Sequence, residues 1–150
     1  LKNQIEYMMK KNIAFTHTSY LIENKVKEAN RVIHAGKNNY RFPLVVFHNK
    51  IATPTVVFEK ALIKNSEIQF INKYRRGEDT MLWSYISRKT TLCGLPEVLV
   101  KVNQGSETSA LNNKNNRLGF YSINETLSKH KLIQIIHKIY IYSRILTRTL

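Results

Sequence analysis

Arg75-Arg76-Gly77-Glu78-Asp79-Thr80-Met81-Leu82-Trp83 sets two adjacent carboxylates between a pair of arginines and the start of an apolar helical pattern. From Asp79 to Lys89 the apolar residues Leu82, Trp83 and Ile86 fall at i, i+1 and i+4, the spacing of one helix face. Glu78 and Asp79 then lie at the positive end of the helix dipole, where a carboxylate also accepts bonds from free backbone N–H groups. The chain carries 24 lysines and arginines against 10 acidic residues, and Asp79 is its only aspartate, so a paired acid here stands out from its surroundings. Two readings stay open on spacing alone. One is a first-turn cap with Arg75 or Arg76 as ion-pair partner; the other is a general base, which must be ionised and within reach of a substrate hydroxyl. They are compatible, because a capped carboxylate is rigidly placed. Two neighbouring arginines are expected to depress the Asp79 pKa.

Outward from this helix the chain alternates between helical and extended patterns. Residues 1–11 read as a helix with Ile5, Met8 and Met9 on one side, and Ala14–Tyr20 reads as a strand rich in β-branched and aromatic residues. Residues 23–40 are polar and read as a loop. Phe42–Phe47 is a short apolar run of undecided type, and Thr53–Phe58 reads as a strand with Pro54 near its start. Lys60–Lys64 fits one helical turn, Glu97–Val102 a strand, Asn103–Ser106 a turn, and residues 105–117 a polar loop. From Leu118 the pattern is helical again, most strongly over residues 129–150. The fold class expected is mixed α/β.

Composition narrows the function classes. At 43% hydrophobic residues the chain can build a core. Leu1 enters a helical pattern without start signals, as expected of a segment of a longer chain. The first residues lack the pattern of a secretory signal, and no run approaches the ~20 apolar residues that span a bilayer. A cytoplasmic location is expected. A single cysteine, Cys93, excludes an internal disulfide and a multi-cysteine zinc site. It reads as a small core residue. The net charge of +14 points to an anionic partner.

Several chemistries are excluded by their motifs. There is no Gly-Lys-Ser/Thr phosphate loop, no Gly-x-Gly-x-x-Gly fingerprint and no Gly-x-Ser-x-Gly elbow. The histidines His17, His34, His48, His130 and His137 are scattered, and each reads as a surface or partly buried residue. One aspartate cannot make an Asp-x-Asp metal site.

The segment from Arg75 to Trp83 resembles the Glu-Asp-x-x-Leu-Trp segment of family 2 glycosyltransferases. Three further stretches resemble that family in the same order: Gln4–Met9 followed by Phe15–Tyr20, then Asn49–Val57, and Gly94–Leu99 followed by Gly105-Ser106. The resemblance implies a fold of the GT-A type that binds a nucleotide-sugar donor through an N-terminal half. There an Asp-x-Asp motif holds a divalent metal, Mg or Mn, and the diphosphate. It implies that residues 1–110 are the acceptor-side part of such a domain and that the chain alone is inactive. It implies Asp79 as the base that deprotonates a glycan or lipid-linked acceptor, in synthesis of a surface polysaccharide such as lipopolysaccharide. Glu78, Thr53 and Thr55 would lie near the acceptor. Trp83 would anchor the helix in the core or face the sugar. It also implies a helix over Leu44–His48.

Residues 111–150 read as a basic amphipathic extension. Leu132, Ile135, Ile136, Ile139, Tyr142 and Leu146 recur at helical spacing, Gln134, His137, Lys138 and Arg148 fall toward another face, and no acid follows Glu125. The helix either packs on the domain with its basic face in water or rests on an anionic membrane, which would make the protein peripheral at the inner face of the cytoplasmic membrane. A different class, a basic nucleic-acid-binding module, has the charge and the aromatics Tyr7, Phe15, Tyr20 and Tyr74 in its favour. Its basic residues are spread along the chain without a binding motif, so nucleic acid is the less expected partner. A non-catalytic remnant of a glycosyltransferase is a third reading.

Overall fold

The computed structural model describes residues 1–24, 29–35, 39–47, 50–63, 77–104, 127 and 130–146. The fold is mixed α/β. In chain order its elements are α1 (Lys2–Lys11), β1 (Phe15–Asn24), β2 (Ala29–Ile33) and α2 (Leu44–Phe47). A 3-10 turn over Thr53–Thr55, β3 (Val56–Phe58) and a second 3-10 turn over Lys60–Ile63 follow. The described chain ends with α3 (Glu78–Lys89), β4 (Cys93–Gln104) and α4 (Lys131–Leu146).

The sheet is organised around β1. β4 runs parallel to it from Thr16 to Asn24. β3 pairs antiparallel with Phe15–His17 and β2 pairs antiparallel with Tyr20–Asn24. A strand has two edges, so β2 and β3 share the edge that β4 leaves, one beside each end of β1. The ladder with β4 is irregular at Thr18, Ser19 and Tyr20, where Pro96, Glu97 and Leu99 have no partner on β1. Proline lacks the N–H that a regular ladder uses, and a bulge accommodates it. The Ser19 hydroxyl donates to the Pro96 carbonyl at 2.8 Å and accepts from the Ala35 N–H at 2.9 Å. One buried side chain thus closes the bulge on one side and the chain after β2 on the other.

The core lies where α2 and α3 meet the start of β1. Phe15, Val45, Val46, Leu82, Trp83, Ile86 and Leu92 are buried there, with Phe58 packed against them. Trp83 meets Phe15 edge-on at 5.5 Å and Phe58 at 6.5 Å. α1 contacts β1 and buries Gln4 and Met8. The Gln4 amide donates to the Thr55 carbonyl at 2.9 Å. α4 sits on the core through His137 and Tyr140, whose rings lie 5.6 and 5.7 Å from Phe47.

Several sequence expectations are corrected. The inward face of α1 is Gln4 and Met8, whereas Ile5 and Met9 are exposed. Residues 29–33, expected to be loop, form β2, because the free edge of β1 supplies a partner that local sequence does not show. Thr53–Thr55 is a 3-10 turn and the strand begins at Val56; the Thr55 hydroxyl bonds back to the Ala52 carbonyl at 2.7 Å and holds the turn. Asn103 and Gln104 belong to β4 rather than to a turn. His17 and His137 are fully buried, and His137 lies on the packed side of α4 although its polar character groups it with the other face. The helix at Leu44–Phe47 agrees with the resemblance, and its expected end at His48 lies outside the described residues. So do the expected polar loop at 105–117 and the onset of helix at Leu118.

Two consequences are measurable. Replacing Trp83 by alanine opens a cavity between α3 and β1 and is expected to lower stability by about 3–5 kcal/mol in urea unfolding. Burial pushes the His137 imidazole below its ordinary 6.5. The unfolded chain then takes up the proton more readily than the folded one. This group's stability is full above pH 6.5 and is lost as pH falls from there through the lower folded value. Unfolding measured on either side of that pH should show the loss, and His137→Gln should reduce it.

Candidate active site

Gly77 opens α3 with φ 84°, a left-handed value that a side chain at Cβ disfavours. This turn allows the chain to enter the helix directly into Glu78 and Asp79, which occupy its first turn. The Asp79 Oδ1 accepts the Thr80 backbone N–H at 2.7 Å and faces the Thr80 hydroxyl at 3.4 Å. One carboxylate oxygen is therefore bound by the helix start while the helix dipole favours its charge. Beside it, Oε2 of Glu78 is buried with no hydrogen-bond partner among the described residues.

Burial dominates the electrostatics of Asp79. It pushes the carboxyl above its ordinary 3.8; the Thr80 bonds pull it down, and the Glu78 charge pushes it up again. The expectation of a pKa depressed by arginines is overturned. Arg75 and Arg76 lie outside the described residues, and among the described residues no ion pair reaches Asp79. Partial desolvation of the carboxylate outweighs the bonds it accepts. A partly buried acid of raised pKa, at a fixed position on a helix end, is suited to accept a proton.

The other sequence-selected residues are placed differently. Trp83 is 2% exposed and lies one helical turn after Asp79, in the core. Thr53 is exposed, whereas Thr55 is buried with its hydroxyl engaged in its own turn. No hydrogen bond among the described residues joins either threonine to Glu78 or Asp79. Thr80 escaped the sequence reading, although a hydroxyl residue directly after an aspartate at a helix start is a recognisable local bonding pattern. Among the described residues no three histidine, cysteine, aspartate or glutamate side chains gather as a metal site. The two carboxylates at the start of α3 do not by themselves fit the divalent ion that the resemblance implied. No described helix is long and apolar enough to cross a membrane.

Comparison with known proteins agrees with the motif resemblance at a coarser level. The chain is similar to glycosyltransferases. It is 33% identical over 114 residues to a protein of Rickettsia bellii named an uncharacterized glycosyltransferase. Proteins of Rickettsia conorii and Rickettsia felis with the same description are 32% and 31% identical over 113 residues. Each match covers 75% of this chain, but the chain spans only 16–18% of the length of these relatives. No protein-family model and no solved structure matches it.

The raised pKa of Asp79 yields a stability test of its own. A folded pKa above the unfolded one means that this group's stability is greatest below 3.8 and is lost as pH rises through the folded value. At neutral pH the charge works against the fold. Asp79→Asn, which retains an acceptor for the Thr80 N–H, is expected to leave the urea midpoint at neutral pH unchanged or raised. A purely capping carboxylate would instead lose about 0.5–2 kcal/mol.

Proposed function

We propose that this chain is the acceptor-side part of a glycosyltransferase in which Asp79 takes the proton of the acceptor hydroxyl. The match over 75% of the chain to three proteins named glycosyltransferases is the observation that carries this reading. The setting of Asp79 supports its part in it. The residue is the sole aspartate, it opens a helix that Trp83 anchors, and its desolvated carboxylate holds a proton more firmly than an exposed one would.

In the reaction the acceptor O–H proton passes to the Asp79 carboxylate. The acceptor oxygen forms a bond to the anomeric carbon of the donor sugar. The bond from that carbon to the diphosphate oxygen breaks, and its electron pair leaves with the nucleoside diphosphate. The raised pKa brings the base closer to working pH, where proton transfer is more effective. Glu78 borders the acceptor, and its charge opposes ionisation of Asp79 and so adds to the basicity of that carboxylate. Thr53 offers an exposed hydroxyl to the acceptor, and Thr55 holds the turn that presents it. The motif resemblance supports the finer assignment: a family 2 enzyme of the GT-A type, acting on a glycan or lipid-linked acceptor in surface polysaccharide synthesis. The divalent ion of such an enzyme belongs with Asp-x-Asp carboxylates, which this chain does not contain.

In the full-length enzyme Asp79→Asn is expected to lower kcat by about 10²–10⁴-fold while donor affinity stays within a factor of about two. Steady-state turnover together with donor titration measures both. Turnover close to that of the unaltered enzyme would return Asp79 to a capping role.

A further inference from the structure

α4 has two apolar faces, and only one of them meets the described protein. Ile133, His137 and Tyr140, at i, i+4 and i+7, point to the core, where the last two rings pack on Phe47. Leu132, Ile135, Ile136 and Ile139, at i, i+3, i+4 and i+7, form a second stripe on the solvent side. Leu132 is 71% exposed and Ile139 63%, so these are whole aliphatic side chains in water rather than partly covered ones. A helix that needed only the core face would carry polar residues here. The sequence selects branched aliphatics at all four positions instead.

The charges beside the stripe select its partner. Lys131 and Lys138 are exposed and, at 100° per residue, lie together along one border of the stripe. No acidic residue occurs from Thr126 to the end of the chain, in a protein of net charge +14. Lysine is depleted in protein–protein interfaces and aromatic residues are enriched there, whereas an aliphatic stripe bordered by lysines matches a surface that is anionic outside and apolar just beneath. α4 has 16 residues and does not qualify as a membrane span. It is long enough to lie flat, about 24 Å in extent, with its solvent stripe among acyl chains and its lysines at the headgroups.

We propose that the solvent face of α4 is a docking surface for an anionic lipid bilayer, holding the protein parallel to the membrane through Leu132, Ile135, Ile136 and Ile139, with Lys131 and Lys138 at the phosphates. The inference is independent of the role given to Asp79. His137 keeps the opposite face on Phe47, so the helix docks as a part of the folded domain and not as a detached peptide.

Sedimentation of the 150-residue chain with phosphatidylcholine vesicles, alone or enriched in phosphatidylglycerol, tests this. Binding is expected with the anionic vesicles only and should weaken as salt rises. The pair Leu132→Gln and Ile139→Gln should reduce the partition coefficient by at least about tenfold. Lys131→Gln and Lys138→Gln should each reduce it by roughly fivefold and flatten the salt dependence. Lys2→Gln and Lys10→Gln, on the exposed side of α1, serve as basic controls and should change little. All substituted positions are exposed, and an unchanged urea midpoint confirms that the fold is retained. Binding that does not require anionic lipid, or that survives loss of the aliphatic stripe, overturns the proposal. So does sedimentation equilibrium showing a dimer that Leu132→Gln and Ile139→Gln dissolve, because the stripe would then be covered by a second copy.

Discussion

Trp83 packs its indole edge-on to Phe15 and Phe58 and so connects three separate parts of the chain: the start of β1, the short strand β3 and the first half of α3. Aromatic pairs of this geometry add to the apolar area that they bury. The direction of α3 depends on this junction, because Trp83 is the largest fully buried side chain among the described residues and lies near the helix start. Asp79 is one turn away on the same helix. The carboxylate therefore inherits its position from a contact that is entirely apolar. Gly77 and Thr80 then adjust the local entry and the rotamer, but neither could aim the group if the indole were loose.

Long-range charge and local solvation act in opposite directions at Asp79. A protein of net charge +14 attracts anions and favours ionised carboxylates, yet interactions between exposed charges fade beyond about 8–10 Å in physiological salt. The water withdrawn from the carboxylate itself acts at contact distance and is not screened. Burial wins for that reason, and Glu78 next door adds to it. The same separation of scales applies to α4, where lysines beside an aliphatic stripe matter more than the total charge of the chain.

Patterns internal to one segment are readable. α3 is legible because Leu82, Trp83 and Ile86 repeat at helical spacing behind two carboxylates, and β1 as far as Tyr20 because β-branched and aromatic residues favour a strand, whereas its end at Glu23 and Asn24 reads as loop. What escapes the sequence depends on partners distant along the chain. Ala29–Ile33 is a short, mixed segment that becomes a strand only because the far half of β1 offers it an edge. Thr53–Thr55 has strand-like composition, but a hydroxyl–carbonyl bond and Pro54 close it into a turn. In α4 the period is correct, but an apolar repeat shows that a stripe exists, not whether the protein covers it. His137, polar by type, fills the covered side. For the site, Asp79 and Glu78 are visible as residues, whereas the sign of the Asp79 shift requires knowing how much water the fold removes.

The bulge closed by Ser19 has one more effect. Between Thr16 and Asn24, β4 spends three more residues than β1, so Cys93 and Leu95 share a face with Thr16 and Thr18 while Val100 and Val102 share a face with Tyr20 and Ile22. An odd surplus inverts the phase of the strand: odd-numbered side chains face that way before Pro96 and even-numbered ones after it. Removing a single residue from the span Pro96–Leu99 would carry Val100 and Val102 to the wrong side and take Lys101 away from Glu23, which it meets at 3.1 Å. Substitutions in this span alter one surface position each. A change in its length rewrites every position that follows, so the sheet depends on the count of residues there more than on their identity.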